Sequence, residues 1–172
     1  MSYAALVRLA GLAAIIAGVF RTGAALFPAP EPSVAQEWLY LAVDVLLLFG
    51  LCGVFAYQHV EGGIWGFVGF LLSAIGLEVI GGPDGKLGDV DVYMTGTSLI
   101  GIGIVFLAIG TWNARRLPRY VATLWMLSTA IGSISFISPG TVVPFMISGV
   151  AFGIAFIGAG IRLWSEPSRT RT

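Results

Sequence analysis

Long apolar stretches broken by short polar connections set the pattern of this chain. A helix that crosses the hydrocarbon core of a bilayer needs about 20 mostly apolar residues, at about 1.5 Å of rise each. Six stretches meet this requirement, near residues 4–27, 37–58, 63–80, 92–112, 119–138 and 142–164. The pattern predicts an all-α protein, an integral membrane bundle of six transmembrane helices forming one domain over 1–172. The third stretch is short, and only Pro139, Gly140 and Thr141 separate the fifth from the sixth.

Composition strengthens the membrane reading. Of 172 residues, 57 % are hydrophobic and 10 % charged, and the mean hydropathy is +0.92. A soluble domain of this length cannot bury that much apolar surface, so lipid must cover the remainder. Lys plus Arg and Asp plus Glu both number 9, which leaves no net field to attract nucleic acid or a generally acidic partner. The single cysteine, Cys52, excludes an intrachain disulfide and reads as a small core residue.

Charge placement predicts an orientation. Arg115, Arg116 and Arg119 cluster between the fourth and fifth stretches, and Arg162, Arg169 and Arg171 lie at the C-terminal end. The positive-inside rule puts both groups in the cytoplasm. Counting back places the N-terminus and Arg8 there too, so the predicted topology is N-in and C-in, which requires an even number of spans. The outward connections are then 28–36, with Glu31, and 81–91, with Asp84, Asp89 and Asp91 against Lys86. Tyr57, Trp65, Trp112, Tyr120 and Trp164 fall near cytoplasmic helix ends, and Trp38, Tyr40 and Tyr93 near outer ones, as amphipathic rings prefer. The first stretch resembles a secretory signal in outline, but Arg21 within it argues for a retained span. The expected location is a multi-pass position in a prokaryotic plasma (inner) membrane, a plan common among small polytopic bacterial proteins.

Glycine supplies 24 residues, about twice the usual share of about 7 %. Small residues four apart recur at Ala10, Ala14 and Gly18, at Gly69 and Ser73, at Ser128 and Gly132, and at Gly149 and Gly153. Such pairs let helices approach closely in lipid and are read as contacts within one bundle. A short internal similarity relates Ala74-Ile75-Gly76 with Pro83 to Ala130-Ile131-Gly132 with Pro139, as a duplicated hairpin would.

Function enters through charges inside the spans. Arg21 and Asp44 each lie about two turns from the outer end of their stretch, at a depth of roughly 10 Å. A lone charge in lipid costs about 2.5 kcal/mol or more, so opposite charges at equal depth on consecutive helices are read as a pair. Glu37, Tyr40 and Asp44 form a polar stripe at helical spacing. Glu78, then Asp91, Thr95 and Ser98, then Ser133 and Ser135 add polarity to the same outer half. The candidate site is therefore Arg21, Tyr40, Asp44 and Glu78, as a ligand-binding cluster or a structural ion pair. The bland alternative is a pair that fixes helix register, with hydroxyls satisfied by their own helices.

His59 and Glu61 read as a solvated turn, and the spacing of Asp84, Asp89 and Asp91 does not match a calcium loop. No phosphate loop, nucleophile elbow or zinc motif occurs, so no catalytic residue is named, and no metal and no cofactor is expected. The favoured expectation is a protein that binds a lipophilic ligand, or a partner subunit of a membrane complex, through the outer polar half. The alternatives are an intramembrane enzyme using Asp44 or Glu78 as acid or base on a lipid or isoprenoid, and a small transporter. Membrane lipids are the expected partners, and nucleic acid is not.

Overall fold

Polar caps decide where each helix begins. A computed structural model describes residues 2–27, 33–81, 86–87, 89–137 and 142–165. Ser2 accepts a hydrogen bond from the Ala5 amide at 3.3 Å and opens α1, Tyr3–Leu26. Ser33 and Gln36 form a reciprocal capping box that opens α2, Val34–Ile80, ahead of the predicted start at residue 37. The Asp91 carboxylate accepts from the Met94 amide at 2.9 Å and opens α3, Val92–Ala114. Then come α4, Arg119–Ile137, and α5, Val142–Ser165. A two-stranded antiparallel ribbon, β1 Lys86–Leu87 and β2 Val90–Asp91, precedes α3.

Four of these five helices, α1, α2, α3 and α5, are long and apolar enough to cross a membrane, which fits a multi-pass membrane protein. Among the described residues, five helices stand where six stretches were expected. The difference lies in α2, a 47-residue element in which only Gly63 leaves helical geometry, at φ 56° and ψ −152°. The predicted stretches 37–58 and 63–80 join there without an intervening loop. The chain nevertheless doubles back. Phe55 stacks on Phe70 with ring centroids 4.6 Å apart, whereas an unbroken helix would hold them about 22 Å apart at about 1.5 Å per residue. We call the two parts the first limb, 34–62, and the second limb, 64–80.

The seams close a ring: α1 on α2, α2 on α3, α3 on α4, α4 on α5, and α5 back on α1. Small residues set the closest approaches, as the spacing predicts. Gly50 and Gly53 of the first limb face Ala14 and Ala10, and Gly69 and Gly76 of the second limb meet Leu107 and Gly96. Gly18 meets Gly153, and Gly11 meets Gly160. On the α4–α5 seam the Ser128 hydroxyl donates to the Ser148 carbonyl at 3.0 Å and Ser148 returns the bond at 2.8 Å. The larger core side chains are Trp125, Phe156, Leu51, Ile104, Leu107 and Leu163, all sealed from the surface. Outside, Val45, Phe49, Phe67, Leu71, Ile102, Leu127 and Ile154 are exposed, an apolar belt that lipid would wet.

Two expectations are corrected. Cys52 is exposed on the outer face of the first limb, not in the core, because the neighbouring Leu51 and Gly53 take the inward positions of the helix. Glu61 is not in a solvated turn but within helix, half-buried and paired. Glu31, Asp84, Arg169, Arg171 and the prolines of the internal similarity, Pro83 and Pro139, lie outside the described residues.

Candidate functional site

The reversal at Gly63 is what assembles the carboxylate site. Because the two limbs run antiparallel, Asp44 on the first comes to share a cavity with Glu78 on the second. The cavity holds about 90 Å³, and Leu41, Val45, Leu48 and Leu77 supply its apolar walls. Val45 is 59 % exposed and Leu41 is 41 % exposed, so the cavity opens on the outside of the bundle, toward lipid. Asp44 is half-buried and Glu78 exposed. The volume is about that of three water molecules at about 30 Å³ each, enough for a small polar head but not for a lipid.

Arg21 is half-buried on α1, and no ion-pair contact joins it to Asp44 among the described residues. Tyr40 is half-buried one turn before Asp44 and does not line the cavity. Glu37 is exposed. Of the four candidates, then, Asp44 and Glu78 line one cavity, Arg21 is not among its lining residues, and Tyr40 stands one turn from Asp44. Three of the hydroxyls follow the bland reading, whereas the buried Ser135 Oγ has no hydrogen-bond partner among the described residues. Thr95 donates to the Asp91 carbonyl at 2.8 Å, Ser98 to Met94 at 2.7 Å and Ser133 to Thr129 at 2.9 Å, each back-bonding to its own helix.

The opposite end carries a linkage that the sequence reading missed. Arg116, just after α3, forms an ion pair with Glu61 at 2.8 Å and donates to the Tyr57 carbonyl at 2.7 Å. Its guanidinium also lies 5.4 Å from the centroid of the Tyr57 ring. Arg162 of α5 donates through Nε to the Arg116 carbonyl at 3.3 Å. Next to these, the Gln58 amide donates to the Thr111 hydroxyl at 2.7 Å in a fully buried contact between α2 and α3. The available signal was the opposite charge of Glu61 and Arg116 at helix ends assigned to the same side. Because both side chains remain partly exposed, at 29 % and 37 %, a Glu61→Gln/Arg116→Gln double-mutant cycle is expected to give a coupling of about 1 kcal/mol or less. Thermal unfolding in detergent reads it, and a coupling several times larger would contradict this solvated view.

No family model matches the chain, and no curated protein and no solved structure matches it.

Together, two carboxyl groups line this cavity, framed by apolar walls, with Arg21 on the neighbouring α1.

Proposed function

We propose that this protein is a six-span, N-in and C-in membrane bundle of a prokaryotic plasma membrane that binds an amphiphile with a cationic head. The reversal within α2 supports counting its two limbs as separate spans, and α4, with 19 residues, adds the sixth. Arg8, Arg115, Arg116, Arg119 and Arg162 all belong to the end that holds Gly63, which supports putting that end in the cytoplasm. The carrying observation is the convergence of Asp44 and Glu78 in one lipid-facing cavity. The head would sit between the carboxylates, with its tail along Leu41 and Val45 in the membrane.

The test is thermal stability of the purified protein in detergent, titrated with dodecylamine or with dodecanol, which has the same tail and no charge. Dodecylamine is expected to raise the unfolding temperature and dodecanol is not. Asp44→Asn and Glu78→Gln should each weaken amine binding about tenfold, equivalent to about 1.4 kcal/mol. Arg21→Gln removes the competing cation and should tighten it. Equal responses to amine and alcohol, or unchanged binding in both carboxyl variants, would refute the reading.

The same convergence supports a second reading, acid–base chemistry on a lipid substrate, which needs two proton-exchanging groups at one point. It differs in requiring turnover: both carboxyl variants would abolish conversion of the substrate, and the Arg21 variant would not.

A further inference from the structure

At the arginine-bearing end, away from the carboxylate cavity, we infer a binding site for an anionic phospholipid in the groove between α3 and α4. Three observations meet there. The α3–α4 contact is the lightest seam of the ring, and it leaves a cavity of about 220 Å³ lined by Ile109, Trp112, Asn113 and Met126. That is more than twice the volume of the outer cavity, and its walls are largely apolar, suited to a segment of acyl chain. The Arg119 guanidinium lies 5.7 Å from the centroid of the Trp112 ring, at the mouth of this groove.

Charge complementarity identifies the occupant. Arg116 and Arg162 are engaged within the bundle, but Arg115 and Arg119 are exposed and have no acidic partner among the described residues. Arg119 also opens α4, where the helix dipole and unsatisfied amides favour an anion. A cation near the ring of Trp112, which itself lines an apolar slot, matches a phosphodiester head with its chain descending into the membrane. Basic pockets between spans at this level are suited to acidic phospholipid heads. The surface does not suit a zwitterionic lipid equally, because such a head carries the same phosphodiester but adds a cation that the unneutralised Arg119 repels.

Native mass spectrometry of the detergent-purified full chain, titrated in parallel with phosphatidylglycerol and phosphatidylcholine of identical chains, tests the assignment. Occupancy of the first bound phosphatidylglycerol is expected to exceed that of phosphatidylcholine about fivefold or more. Arg119→Gln should reduce this preference to near unity, and Arg119→Lys should keep most of it. Ile109→Phe, which narrows the slot without touching charge, should lower occupancy by both lipids. Inorganic phosphate at millimolar concentration should not displace the lipid. Equal binding of the two lipids, an unchanged preference in Arg119→Gln, or displacement by phosphate alone would overturn the site and leave the groove to an apolar protein segment.

Discussion

Replacing Gly69 with alanine is expected to destabilise the bundle by about 3 kcal/mol or more, and replacing it with leucine to prevent assembly. The reason is backbone proximity. A Cβ at residue 69 would overlap the Leu107 amide nitrogen and lie 2.6 Å from the Leu107 Cα and 2.7 Å from the Gly103 carbonyl oxygen. None of these atoms can rotate away, so the second limb and α3 must separate along their length. Overpacking a tight core usually costs about 1–3 kcal/mol, when side chains can adjust. Here they cannot, which puts the expectation at or above that range. Helix association in lipid also lacks a hydrophobic drive to compensate, since the tails are as apolar as the side chains they replace. Gly23→Ala is the control, because nothing lies within 4 Å of a Cβ there. It should be neutral or gain up to about 1 kcal/mol from helix propensity. Reversible unfolding in mixed micelles compares the three proteins, and equal stability of Gly69→Ala and Gly23→Ala would show that the α2–α3 seam is not as close as described.

At Gly63 the expected loss has a different origin. With φ 56° and ψ −152°, this residue occupies a region that L-residues rarely enter, and forcing a side chain there costs about 1–3 kcal/mol. A Cβ at this position meets nothing within 4 Å, so Gly63→Ala should lose about that amount through conformation alone. Gly63→Val should lose more, because β-branching restricts the backbone further. D-alanine, introduced by semisynthesis, should restore the wild-type stability, since its mirror-image preferences fit this geometry. Failure of D-alanine to restore it would mean that the loss comes from contact and not from backbone strain. Because this one residue reverses α2, the same variants should weaken the Phe55–Phe70 stack and the meeting of Asp44 with Glu78. Gly63→Ala is therefore expected to impair amine binding at the carboxylate cavity, about 22–28 Å away at about 1.5 Å of rise per residue, without altering any residue that lines it.

Much of the architecture was legible because lipid enforces a simple rule: an apolar stretch that crosses it must satisfy every backbone group internally, and a helix does so. The stretches near 4–27, 92–112, 119–138 and 142–164 correspond to α1, α3, α4 and α5 within a few residues. Small residues at spacings of four likewise mark the seams, since only they allow such close approach. The junction in α2 was less legible. His59 and Glu61 read as a polar turn ahead of a stretch starting at residue 63, yet the helix runs to residue 62 and resumes directly after Gly63. A single glycine can reverse a helix without a loop, and hydropathy does not register a dihedral angle.

The sequence by itself determined the membrane class, the helical composition, the small-residue seams and the unusual charges Arg21, Asp44 and Glu78, because these follow from local chemistry and a period of about 3.6 residues. Tertiary structure alone decided which charges meet. The depth match that paired Arg21 with Asp44 is a one-dimensional measure, blind to rotation about a helix axis. Rotation and the reversal at Gly63 placed Asp44 and Glu78 on one cavity, joined Arg116 to Glu61, and left Arg119 beside Trp112 at an open groove.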